Sequence, residues 1–243
     1  MIDKPFVQRY LVSSMERPEP LTNILMGAYN RMLQHFGPRH WWPADSPLEV
    51  IVGAILTQNT AWTNVEKAIE NIKSAGALSI NKLLGTPVER LAAWIRPSGY
   101  FNLKARRLQA AIRFIAETYE SDLERMTRAS LSTLRKQLLG VYGIGEETAD
   151  SILLYALGKP VFVVDAYTRR ILSRHHLIGQ KTTYGEIQQL FIGALPKEVP
   201  LFNEYHALIV ETGKTFCRRT PLCSDCPLYG WHVSPAGMVL ESS

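Results

Sequence analysis

Apolar residues return at helical spacing along most of the chain, while alternating patterns are nearly absent. In "PLTNILMGAYNRMLQHFG", Leu21, Ile24, Leu25, Tyr29, Leu33 and Phe36 recur every three or four positions, and Gly37-Pro38 closes the run. "LEVIVGAILTQNTAWTNVEKAIENIKSA" predicts two helices that meet near "TQNT". Further helices are predicted at 79–84, 87–95, 103–119, 130–138, 146–157, 166–174, 182–192 and 201–213. The one β-branched run, "PVFVVD", is too isolated to found a sheet. Residues 1–20 read as an irregular lead-in, and no internal repeat is visible. The pattern describes an all-α protein with short loops.

At 243 residues the chain is long enough for one large domain or two small ones with a real core. Apolar residues make up 46% and charged residues 20%, as in an ordinary globular protein. Lys and Arg number 27 against 22 acids, a formal charge of +5. That excess favours a polyanionic partner without naming one. No apolar run reaches membrane-spanning length, and "MIDKPFVQRYL" holds no signal-peptide core, so a cytoplasmic protein without a membrane partner is expected.

The densest local signal is "GVYGIGEETAD". The helical pattern "LSTLRKQLLG" precedes it, and "EETADSILLYALG" follows with Ile152, Leu153 and Ala156 expected in the core. Between them, Gly143-Ile144-Gly145 can take backbone angles closed to other residues, while Ile144 plugs the gap. Two readings fit these glycines. One is a tight turn between packed helices. The other is a backbone that a phosphate can approach closely, beside a helix N-terminus with partial positive charge. A hairpin of the second kind grips nucleic acid without reading its sequence.

"LLGVYGIGEETADSILLYAL", then "VFVVDAYTRRIL", then a cysteine cluster, together resemble the endonuclease III superfamily of DNA glycosylases, with its helix-hairpin-helix. The likeness runs from about residue 20 to residue 230. "WWP", "GAILTQNT", "RPSGYFNLKARRL" and "GIGEETAD" resemble the 3-methyladenine glycosylase III branch in particular. The resemblance implies a two-domain, all-α fold. Residues 44–158 would form one helical domain ending in the hairpin, and 20–43 plus 159–232 the other.

By its position between an apolar run and a helix, Asp165 is most simply an N-cap. The resemblance adds catalysis: a fixed carboxylate that stabilises the positive charge building on deoxyribose as the base departs, or that activates water. Bifunctional relatives carry a lysine after the hairpin as Schiff-base nucleophile. Glu147 stands at that position here, and a carboxylate cannot form an imine. Glu146 and Glu147 also suit a first helical turn, where acids offset the dipole. Lys104, Lys136 and Lys159 are possible substitutes outside the motif position.

Trp41, Trp42, Pro43 and Trp62 would border a pocket for an electron-poor, often cationic, alkylated base, which stacks well on electron-rich rings. Tryptophans on a loop otherwise pack against helices. The resemblance makes Gln58 the residue that fills the gap in the duplex, whereas by itself it is a polar residue at a helix end. Tyr100 or Phe101 would wedge into the stack. Lys104, Arg106 and Arg107, with Arg169, Arg170 and Arg174, form two basic clusters. Phosphate contacts are expected from them and from Gly143, Gly145 and Thr148.

Cys217, Cys223 and Cys226 are separated by five and two residues, an odd and clustered set unlike a secreted disulfide framework. Family members commonly hold a [4Fe–4S] cluster on four cysteines, and His232 stands where the fourth would fall. A Cys3His zinc site or a remnant without metal are the other readings. The expected function is a monofunctional, monomeric DNA glycosylase of base excision repair, acting on alkylated bases in double-stranded DNA without efficient lyase activity. An endonuclease III-type glycosylase/lyase for oxidised pyrimidines and a non-catalytic helix-hairpin-helix DNA-binding module are its rivals.

Overall fold

The structure is a computed structural model that describes residues 20–233 and 239–240. Its helices in chain order are α1 (Leu21–Phe36), α2 (Pro47–Leu56), α3 (Trp62–Ser74), α4 (Ile80–Gly85), α5 (Val88–Trp94), α6 (Phe101–Tyr119), α7 (Leu123–Arg128), α8 (Leu131–Leu139), α9 (Glu146–Ser151), α10 (Ala166–Arg174), α11 (Tyr184–Ala194) and α12 (Val199–Thr215). A 3₁₀ turn covers Arg96–Ser98, and α9 runs on into a π-helical turn, Ile152–Ala156. The protein is all-α. Among the described residues, strand pairing is confined to His232–Val233 against Val239–Leu240, antiparallel.

Helix starts are set by local chemistry. Ser46, Ser79, Asp122, Ser130 and Asp165 each accept a hydrogen bond from a backbone N–H of the first turn. Thr183 and Glu186 form a reciprocal capping box at α11. α1 stops at Gly37, whose positive φ of 69° a glycine adopts without strain.

The chain divides into two compact units. One is Trp42–Val161. Its centre is α2, which is apolar on nearly every face and buries Leu48 through Leu56 against α3, α6, α9 and the π turn. Around it α4, α5, α7 and α8 contribute Leu83, Leu91, Met126 and Leu134 to the same core. α7 and the 3₁₀ turn lie outside the helices the periodicity marks; α7 buries only Met126 and so shows no apolar stripe. At the π turn, Ile152, Leu153, Leu154 and Leu157 are buried, while Ala156 is only half-buried. Ala156 is therefore not the core residue a uniform α-helix predicts, because the wider turn rotates the face.

The other unit runs through Trp41 and resumes at Phe162. α12 packs on α1 and α10, and α11 packs on α1. Its core is aromatic: Phe162 stacks on Phe191 at 3.7 Å, with Phe202 and Tyr205 edge-on. Burial of each such ring contributes about 1.5–3 kcal/mol. Tyr205 Oη donates to the Leu25 carbonyl at 2.7 Å. Phe162, Val163 and Val164 are buried and lie outside any helix or strand. Side chains satisfy their backbone instead: Gln188 donates to the Phe162 carbonyl, and Tyr184 Oη accepts from Val164 N. This buried segment leads directly to Asp165. No helix among the described residues is long and apolar enough to cross a membrane.

Candidate active site

Asp165 caps α10. Its Oδ1 accepts from Thr168 N at 2.7 Å and from Thr168 Oγ at 2.8 Å. Its Oδ2 lies 3.8 Å from Nε2 of His206 on α12. The carboxylate is 11% exposed. Burial holds the His206 imidazole below its ordinary pKa, against the opposing pull of Asp165. Thr168 thus holds the Asp165 carboxylate rigidly at the start of α10, with a buried imidazole beside its second oxygen. The capping reading of Asp165 and a chemical role for its second oxygen are thus compatible. Spacing alone does not reveal His206, since a contact between separate helices leaves no local pattern.

At the hairpin the two glycines differ. Gly143 has φ of 81°, and a Cβ there would overlap Arg107. Gly145 has φ of −95° and nothing within 4 Å of a Cβ. Left-handed freedom is therefore needed at Gly143 and not at Gly145, a correction to the sequence reading. Ile144 is buried, as a plug between helices should be. Glu146 and Glu147 are exposed in the first turn of α9. Arg135 of α8 clamps the fully buried Asp150 through two bonds of 2.8 and 3.1 Å and reaches Glu146 at 3.4 Å. An acid on the face shared with Leu153 and Leu154 was the available signal for this pair.

Gln58 is not held out as an isolated finger. Its Nε2 donates to the Gly143 carbonyl at 3.1 Å and to Thr148 Oγ at 3.0 Å, and its Oε1 accepts from Arg107. Thr148 is buried, so its hydroxyl serves this network rather than a phosphate at the surface. Lys104 also departs from expectation. It is 1% exposed, and its ammonium donates to the carbonyls of Leu56 at 2.8 Å and Ser98 at 2.6 Å. Burial, with the nearby Arg107 charge, pulls its pKa down to about 8. Lys104 closes the C-terminus of α2 and cannot meet DNA from there. Tyr100 is 71% exposed and adopts a left-handed φ of 44° just before α6. Phe101 sits under the Arg96 guanidinium.

The aromatic loop is resolved by the structure into separate parts. Trp41 belongs to the unit that resumes at Phe162, and Trp42 to the Trp42–Val161 unit. Trp42 meets Trp62 edge-on at 5.0 Å and Tyr155 at 5.2 Å, and its indole lies over Gly53 of α2. Pro43 is exposed. Trp62 donates its Nε1–H to Glu66 Oε1 at 2.8 Å. Tyr155 was invisible to sequence reading because a π turn, and not an α turn, presents it; such turns recur at functional sites.

The arginines of α10 hold protein rather than solvent. Arg169 donates to the Thr182 carbonyl. Arg170 donates to the carbonyls of Cys217 and Gly213, and Arg174 to those of Arg218 and Arg219 and to Cys217 Sγ at 3.2 Å. A basic cluster read as phosphate-binding is thereby largely engaged in pinning the cysteine-bearing loop. Cys217 is buried and Cys223 exposed. Burial raises the Cys226 pKa, and the Cys217 and Cys223 thiols add to the rise. A [4Fe–4S] cluster needs four ligands. The described residues offer three thiols, and the His232 side chain lies outside them. Among the described residues no group of three His, Cys, Asp or Glu side chains is arranged to hold a metal. The His232 part of the expected ligand set thus lies outside the described side chains.

A clamped hairpin, a capping aspartate after a buried apolar segment, and an aromatic group on a helix start are features of a DNA glycosylase. The chain belongs to the HhH-GPD superfamily of base excision DNA repair proteins, which residues 52–197 match. It is 49% identical over 202 residues to a Methanocaldococcus jannaschii protein described provisionally as a DNA repair glycosylase, covering 82% of this chain and 91% of that one. It is 30% identical to the H. pylori 3-methyladenine DNA glycosylase MagIII, solved with 1,N6-ethenoadenine, at a TM-score of 0.70 over 80% of this chain and 97% of that one. A trapped endonuclease III–DNA covalent intermediate shares the fold at 20% identity and a TM-score of 0.73, over 85% and 93% of the two chains. The chain is thus a DNA glycosylase, an enzyme acting on DNA.

Proposed function

We propose that this glycosylase hydrolyses the N-glycosidic bond of alkylated, 3-methyladenine-like bases in double-stranded DNA, without an efficient lyase step. The observation that carries the reading is the aromatic group in which the Trp42 ring centre lies 5.0 Å from that of Trp62 and 5.2 Å from that of Tyr155. Alkylation at a ring nitrogen makes a purine electron-poor and frequently cationic. Electron-rich indole and phenol faces favour such a base once it has left the stack. The likeness to the H. pylori 3-methyladenine DNA glycosylase, solved with 1,N6-ethenoadenine, supports the same choice.

Asp165 supplies the chemistry. Its Oδ1 is occupied by Thr168, which fixes the carboxylate, and Oδ2 meets the positive charge that grows on the sugar as the base leaves or orients the incoming water. Glu147, exposed where bifunctional relatives carry a lysine, offers no amine for an imine. The buried amine of Lys104 is committed to two carbonyls and does not replace it. The open backbone at Gly145 accepts a phosphate, and Tyr100 enters the stack.

Duplexes carrying one defined lesion each, scored for released base, test this reading. Release of alkylated purines, and its loss in Asp165→Asn with duplex binding retained, is the expected result. Wild-type protein trapped covalently on DNA by borohydride, or inert toward every alkylated base, would overturn it.

A further inference from the structure

The aromatic group has a charged neighbour that the glycosylase reading leaves without a task. Glu66 stands one helical turn beyond Trp62 on α3, and its Oε1 accepts the indole N–H at 2.8 Å. Glu66 is exposed, and among the described residues no cation forms a salt bridge with it. A carboxylate bonded to an indole N–H does two things. It fixes the ring plane, and its negative charge raises the electron density that the ring face presents. The first favours any flat guest, and the second favours a cationic guest over a neutral one of the same shape. Trp62 in turn sets the orientation of Trp42, which it meets at 90°.

We propose that Glu66 is a specificity-determining residue: through Trp62 it biases the aromatic group toward positively charged, N-alkylated purines and against neutral adducts. The inference rests on the reading that these rings receive the extruded base. Glu66 need not touch the base. It acts through Trp62 and as a nearby charge, so its removal affects charge discrimination rather than catalysis in general.

The test compares wild type with Glu66→Gln and Glu66→Ala. The glutamine keeps an acceptor for the indole N–H and removes only the charge, whereas alanine removes both. Quenching of tryptophan fluorescence is titrated with 3,9-dimethyladeninium, a fixed cation, and with 9-methyladenine, its neutral counterpart. In parallel, single-turnover release is measured from duplexes containing 7-methylguanine or 1,N6-ethenoadenine. The preference for the cation over the neutral ligand is expected to fall about tenfold in Glu66→Gln, with neutral-ligand binding unchanged, as suits a cation–π preference of this kind. An unchanged preference in Glu66→Gln would overturn the inference. So would equal losses for both ligands in Glu66→Ala and none in Glu66→Gln, which would leave Glu66 a structural anchor. If the cation preference depends on Glu66 while neither lesion is released, the inference stands and the proposed reaction falls.

Discussion

Gly143 and Gly145 flank the same buried isoleucine, yet an alanine should behave differently at each. At Gly143 the φ of 81° is strained for any residue with a side chain, a cost of about 1–2 kcal/mol. The new methyl would also overlap Arg107 Cγ and stand 2.6 Å from Cδ and 2.8 Å from Nε. Arg107 must then swing away and give up its charge-assisted bond to Gln58, worth about 1.5–3 kcal/mol. Reduced freedom of the unfolded chain returns about 0.4–1 kcal/mol. The net loss for Gly143→Ala is about 2–4 kcal/mol. At Gly145 the backbone is ordinary and the space is open. There the weaker capping tendency of alanine and the entropic gain nearly cancel, leaving stability within about 1 kcal/mol of wild type. Urea unfolding followed by circular dichroism reads the first quantity, and anisotropy with a labelled duplex reads binding. Gly145→Ala should keep its unfolding midpoint and bind DNA about tenfold or more weakly, as for the loss of one charge-assisted backbone contact. A Gly143→Ala protein as stable as wild type would refute the steric argument. A Gly145→Ala protein that either unfolds early or binds normally would refute the assignment of that glycine to phosphate.

Three further outcomes follow from the same geometry. Arg135→Met should lose about 3–5 kcal/mol in urea unfolding, because Asp150 would be left buried and uncompensated; retention of wild-type stability would show the pair to be dispensable. Lys104 releases its proton at about 8 in the native protein, whereas an unfolded lysine holds its own to about 10.4. The unfolded chain therefore binds more protons in that interval, and the Lys104 contribution should make stability rise between about pH 8 and pH 10. Lys104→Met should remove that rise, which denaturation at a series of pH values would detect. Glu147→Lys should convert a protein that gives no borohydride adduct on abasic DNA into one that gives some, measured by gel shift, if a missing amine is what prevents imine formation.

Much of the helical order was legible because amphipathic spacing and capping residues are local properties. Asp165 announces its helix in the sequence itself, and Ser46 and the Thr183/Glu186 box act on theirs by the same local chemistry. α7, at Leu123–Arg128, escaped because it buries only Met126 and so shows no apolar stripe. The π turn escaped because side-chain spacing carries no mark of a changed backbone hydrogen bond.

Charge was the least reliable guide. Lys104, Arg169, Arg170 and Arg174 read as a DNA-facing surface, and the fold spends them on carbonyl oxygens within the protein. A lone polar residue in a sequence does not reveal whether water or a helix end will satisfy it. Burial makes that choice, since carbonyls removed from water need donors.

What the amino-acid order determines by itself is the succession of helices, the glycine-bearing turn, the aspartate after an apolar run and the lack of lysine at position 147. These depend on neighbours in the chain. The tertiary structure alone decides that Gly143 is crowded and Gly145 open, that Asp165 lies beside a buried histidine, and that Tyr155 joins Trp42 and Trp62. Those facts depend on which surfaces exclude water together, and packing between distant segments is what settles them.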